Sequence, residues 1–132
     1  MQHTERGFVK LFGGFSKKSE HQGGLPPARL RRVMDYIEAH LKEDLSLRRM
    51  ADVLEMSPYH FGRLFKQTTG LTPHQYLMRQ RIMKARELLA DDRLSVAEIS
   101  RQLGFASHAH FTTVFRKLSG MTPTKYRRKN VK

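Results

Sequence analysis

Cysteine is absent from this chain. Its absence excludes disulfides and thiolate metal sites and fits a reducing compartment, so a cytoplasmic location is expected. Acidic residues are scarce: 12 Asp and Glu stand against 25 Lys and Arg, for a formal net charge of +13. Such a balance attracts polyanions, nucleic acid first and anionic membrane second. Long hydrophobic runs are missing too. The apolar stretches fall far below the roughly 20 residues needed to cross a bilayer. The first residues show no apolar run of about 7–15 residues like that of a signal peptide. No membrane partner is therefore expected. Alternating apolar and polar residues, the mark of a half-buried strand, are not found. No nucleophile–base pair, phosphate loop or metal-ligand spacing stands out. The chain does not read as an enzyme, and neither cofactor nor metal is expected.

What the chain does contain is one phrase written twice. Leu45-Ser46-Leu47 begins a run through Leu54, Phe61 and Phe65 that ends Gly70-Leu71-Thr72-Pro73-His74-Gln75-Tyr76. Leu94-Ser95-Val96 begins a second through Leu103, Phe111 and Phe115 that ends Gly120-Met121-Thr122-Pro123-Thr124-Lys125-Tyr126. One inserted residue shifts the offset from 49 to 50. A repeat fixes architecture before any single residue is read.

Each copy carries helix punctuation. Pro27 suits a first helical position, and Leu30, Val33, Met34, Ile37 and Leu41 then mark one buried face over about 27–42. Ser46 caps a second helix expected to bury Leu47, Met50, Ala51 and Leu54. Ser57-Pro58 opens a third after only Glu55 and Met56, the connection of a helix-turn-helix. That helix buries Phe61, Leu64 and Phe65, and Gly70 stops it. Thr72-Pro73-His74-Gln75 is a capping box opening a long helix over about 73–90. Ser95 with Glu98 opens the fifth. Ser107 caps the sixth, which buries Phe111, Val114, Phe115 and Leu118, and Thr122-Pro123 opens the seventh. The expectation is an all-α chain of seven helices, two helix-turn-helix subdomains joined by a long linker helix. The division is 1–26 as a flexible segment or linker, 27–72, 73–91 as connector, and 92–132 with a basic terminus. Within 1–26, Gly and Pro pairs are linker chemistry. Phe8, Leu11, Phe12 and Phe15 fall at helical spacing, so Phe8, Phe12 and Phe15 are candidates for contact with a partner.

In a helix-turn-helix the second helix enters the major groove and its first residues reach base edges. The reading helices are expected near 57–69 and 107–119. Removing the core from the first leaves Tyr59, Gly62, Arg63, Lys66 and Gln67. Arg63 can fork onto guanine O6 and N7, and Tyr59 can pack on a thymine methyl. Gly62 permits close approach to the sugar-phosphate wall. Lys66 and Gln67 lie further along, where phosphate is met. The second helix offers His108, Ala109, His110 and Thr113 to bases and Arg116 and Lys117 to phosphate. Thr113 matches Arg63, so the second copy lacks the bidentate reader of the first. The starts of the fourth and seventh helices (Thr72 and His74, Thr122) present free N–H groups to phosphate. Lys125, Arg127 and Arg128 add a basic terminus. The linker helix spans roughly 27 Å at about 1.5 Å per residue, near the roughly 34 Å between successive major-groove faces. One monomer is thus expected to bind adjacent grooves at an asymmetric site.

Residues 27–130 resemble the AraC/XylS family of bacterial transcription regulators. The resemblance rests on Leu45-Ser46-Leu47, Ala51, Leu54, Ser57, Phe61, Phe65-Lys66 and Gly70, then Arg81, Ala85 and Leu88-Leu89. Its most specific part runs Ile99, Leu103-Gly104-Phe105-Ala106-Ser107, Phe111, Phe115-Arg116, Gly120-Met121-Thr122-Pro123 and Tyr126-Arg127. The resemblance implies double-stranded DNA as partner and activation through RNA polymerase. It also places base contacts on Tyr59, Gly62, Arg63, His108, Ala109, His110 and Thr113. Other readings are an interaction protein acting mainly on RNA polymerase or another partner, and a non-specific nucleic-acid-coating protein.

Overall fold

The computed structural model describes residues 23–131. The proposed contact through Phe8, Phe12 and Phe15 lies outside the described residues. Among the described residues the regular elements are seven α-helices: α1 (Pro27–Ala39), α2 (Leu47–Val53), α3 (Pro58–Thr69), α4 (Pro73–Leu89), α5 (Val96–Gln102), α6 (His108–Ser119) and α7 (Pro123–Asn130). The fold class is all-α, as the sequence punctuation implies.

The caps explain where the helices begin. Ser46 accepts from the Arg49 amide, Ser57 from His60, Ser107 from His110 and Thr122 from Lys125, at 3.0–3.2 Å. At α4 the capping box closes both ways. Gln75 N–H donates to Thr72 Oγ1 (3.1 Å), and Thr72 N–H donates to Gln75 Oε1 (2.9 Å). At α5 only half the expected box forms. Ser95 accepts from the Glu98 amide, but the Glu98 carboxylate pairs with Arg101. A full opposite charge one turn on outcompetes a neutral amide for an exposed carboxylate. Gly70 and Gly120 end α3 and α6 in the left-handed conformation, at φ 83° and 80°.

The described chain divides into two compact units. One joins the residues up to Ala39 with Leu45–Tyr76; the other joins His40–Asp44 with the chain from Leu77 on. The first is built on Leu30, Val33, Met34 and Ile37 of α1, with Met50, Ala51, Leu54, Phe61 and Phe65, all buried. Leu25 belongs to it as well. Its side chain is 1% exposed, and its N–H donates to Thr68 Oγ1 on α3 at 2.8 Å. The Phe61, Phe65 and Tyr76 rings follow one another at centroid separations of 5.6 and 5.7 Å. Tyr76 closes the series and donates its hydroxyl to Glu38 (3.0 Å).

The second unit repeats this series. Phe111, Phe115 and Tyr126 stand 5.7 and 5.5 Å apart in the same order. On α4, Met78, Arg81, Ile82 and Ala85 are buried at the spacing of Leu30, Val33, Met34 and Ile37 on α1. The repeat therefore reaches back to α1 and α4, beyond the phrase visible in the sequence. Arg81 takes the place that the aliphatic Val33 holds on α1. It is 5% exposed. Its Nε donates to Leu41 O (2.9 Å), Nη2 to Glu43 O (2.8 Å) and Nη1 to Gly104 O (3.5 Å). Helix α1 ends at Ala39, not near 42: a turn follows, with Glu43 N–H on His40 O (3.0 Å), and the carbonyls of Leu41 and Glu43 turn to the guanidinium. Burial, partly opposed by the Asp44 carboxylate, pulls the Arg81 pKa below the ordinary arginine value.

The turns of the two helix-turn-helix motifs also match. Met56 N–H bonds Ala51 O, and Phe105 N–H bonds Ser100 O, at 3.1 and 3.2 Å. Each turn needs one left-handed residue. The second uses Gly104 (φ 79°), where a Cβ would meet Arg81 Nη2 at 2.9 Å and Lys42 O at 3.2 Å. The first uses Glu55 (φ 56°), at a steric cost glycine avoids.

Candidate nucleic-acid interface

Packing of Phe61 and Phe65 fixes which face of α3 turns outward. Tyr59, Arg63, Lys66 and Gln67 are exposed and Gly62 is half-buried. Tyr59 is 79% exposed, the highest value among the exposed large hydrophobics. Its ring therefore takes no part in the core of the first unit. On α6, Phe111 and Phe115 point inward, and His108, Ala109, His110, Thr113, Arg116 and Lys117 are exposed. The His110 ring meets the edge of Phe105 at 5.6 Å, so its orientation is set from within the second unit. Helices α3, α6 and α7 carry no acidic residue, so nothing along them opposes an approaching phosphate.

The residues expected at phosphate divide in two. His74, Lys125 and Arg128 are exposed. Thr72 and Thr122 are half-buried and spend their side chains as caps, which leaves their helix starts in place. Arg127 is engaged within the chain. Its Nε donates to Leu89 O and its Nη2 to Asp91 O, both at 3.0 Å. Arg86 likewise donates to Ser119 Oγ at 3.0–3.1 Å. Together with Arg81 these arginines hold carbonyl or hydroxyl oxygens of the second unit. Charge alone does not separate such a strap from a phosphate contact, which is why Arg127 stands beside Lys125 and Arg128 in the sequence reading.

One further residue escaped the sequence reading. Leu47 was expected in the core, yet it is 41% exposed. It opens α2, one turn ahead of the buried pair Met50 and Ala51, and its methyls lie 3.9 and 4.0 Å from where a Cβ at Gly62 would stand. The lack of a side chain at Gly62 was the available signal.

Among the described residues no group of His, Asp or Glu could hold a metal ion. No described helix is long and apolar enough to cross a membrane.

Two helix-turn-helix units, each presenting a basic second helix free of acidic residues, define a DNA-binding protein. Known proteins agree. A family model described as a helix-turn-helix domain matches residues 50–129. Over 100 residues the chain is 40% identical to the regulatory protein PocR of Salmonella typhimurium, covering 76% of this chain and 33% of that protein. Over another 100-residue match it is 41% identical to the transcriptional activator RhaS of an Enterobacter species, covering 76% and 36%. Among solved structures, the DNA-binding domain of the global transcriptional factor AdpA, in complex with a target DNA, superposes with a TM-score of 0.72. It is 33% identical and covers 76% of this chain and 91% of that one. The chain belongs to the AraC/XylS family of transcriptional regulators and carries its DNA-binding domain. This is a family of regulators, not of enzymes. The chain spans about a third of the length of these two curated relatives.

Proposed function

We propose that the protein is a sequence-specific transcriptional activator that binds double-stranded DNA as a monomer at an asymmetric, bipartite promoter site. The observation that carries this reading is the pair of exposed, unlike reading faces on α3 and α6. Tyr59, Gly62 and Arg63 read one half, and His108, Ala109, His110 and Thr113 the other. Arg63 discriminates guanine by a bidentate contact, and the second half relies on imidazoles and methyl groups. Lys66, Gln67, His74, Arg116, Lys117, Lys125 and Arg128, with the helix starts at Thr72 and Thr122, hold phosphates and set register. Activation proceeds by contact with RNA polymerase, in line with a relative such as RhaS, itself named as an activator.

Selection of bound fragments from random DNA tests the reading. Two conserved blocks of different sequence are expected, with guanine prominent in the block protected by the first unit. A palindromic consensus, or recovery of unselected DNA, overturns it.

A further inference from the structure

We infer that Leu47, a residue outside both reading helices, recognises a thymine methyl group in the space that Gly62 leaves open. The inference rests on the proposed reading of α3 as a base-contacting helix. Gly62 lies between Tyr59 and Arg63 on the exposed face of α3, where a base reader is expected to carry a side chain. A Cβ added there would find only the Leu47 methyls within 4 Å, Cδ1 at 3.9 Å and Cδ2 at 4.0 Å. The floor beside Gly62 is therefore an isopropyl group from α2. That group is 41% exposed, although its carbons are the kind a core takes up.

The surroundings name the occupant. Arg48 on α2 and Arg63 and Lys66 on α3 are exposed, positive charge suited to phosphates. The floor offers no hydrogen-bonding group. The one apolar group that a base pair displays in the major groove is the thymine C5 methyl. A glycine backbone allows the close approach that seating this methyl requires. The second unit has no such feature. Thr112 stands where Gly62 does under the 50-residue offset and brings its own side chain. Leu47 is thus a specificity-determining residue peculiar to the first half-site.

Deoxyuridine pairs as thymidine does and lacks only the methyl. The probe is the selected site with each thymidine of the first half replaced in turn by deoxyuridine. At one position the wild-type chain is expected to bind about four-fold more weakly, the effect of one buried methyl group. Leu47→Ala is expected to bind the thymidine and deoxyuridine sites equally. Leu47→Met, which keeps an apolar floor, retains the preference. Gly62→Asn fills the space from the helix with a polar side chain and is expected to lose the preference as well. A preference that survives Leu47→Ala, or its absence at every position in wild type, overturns the assignment of Leu47 alone. A wild-type chain with no preferred sequence at all overturns the underlying reading together with it.

Discussion

Arg63 is the residue whose loss should change what the protein reads more than how tightly it binds. Its side chain is exposed on α3. Arg63→Ala is expected to cost about 1–3 kcal/mol at one guanine and little on sites altered there. Competition binding against a panel of single-base variants measures this, and an equal loss on every sequence refutes the role. Two other residues concern the scaffold. Glu55 holds a left-handed turn with a side chain attached. Glu55→Gly is expected to raise stability by about 1 kcal/mol in urea unfolding, the strain that Gly104 avoids in the second turn. Tyr76 is buried and hydrogen-bonded to Glu38, and burial first, then the Glu38 carboxylate, pushes its pKa well above the ordinary tyrosine value. A folded pKa above the unfolded value of about 10 means that its contribution is complete below pH 10 and is lost as pH rises beyond. Tyr76→Phe should be slightly less stable at pH 7 and show a shallower alkaline loss. Parallel alkaline limbs in wild type and variant would show that Tyr76 does not carry it.

At the scale of elements, what sequence made legible was local. The cap residues Ser46, Ser57, Thr72, Ser107 and Thr122 act within one turn of themselves, and all five accept the bond their position suggests. The stops at Gly70 and Gly120 are equally local. What stayed hidden depends on partners far along the chain. The carbonyls that follow α1 are held by Arg81, forty residues on, and Leu47 lies beside Gly62, on the next helix. The outward faces of α3 and α6 could be read by subtracting the core. Arg127 could not be told from Arg128, because only one of the two meets carbonyls of Leu89 and Asp91. The start of the first unit also shifts. Leu25 is buried and tied to Thr68, so the folded unit begins before Pro27. A chain starting at Gly24 is expected to be more stable than one starting at Pro27 by about 1.5–3 kcal/mol, the worth of a buried leucine. Coincident thermal melts would show that Leu25 adds nothing.

The excess of positive charge belongs to the whole molecule, and salt reports on it. With a formal net charge of +13, long-range attraction draws the protein to any DNA before either face reads a base. Each phosphate neutralised should steepen the log–log salt dependence of binding by about 0.9. Replacing Lys125 and Arg128 by alanine is expected to flatten that slope by roughly two such steps on all sequences. Arg127→Ala should lower stability and leave the slope nearly unchanged, since its charge is already engaged. An unchanged slope in the double variant would mean that the terminus is merely solvated. A last consequence concerns the order of assembly. The second unit is made of two pieces of chain, and its smaller piece, His40–Asp44, is synthesised before α2. Its carbonyl partner Arg81 and the glycine that abuts Lys42 arrive some forty and sixty residues later. A ribosome delivering this protein thus releases the Leu41 and Glu43 carbonyls well before the guanidinium that receives them. The first unit is complete in sequence at Tyr76, whereas the second cannot finish until its own earliest segment is recovered.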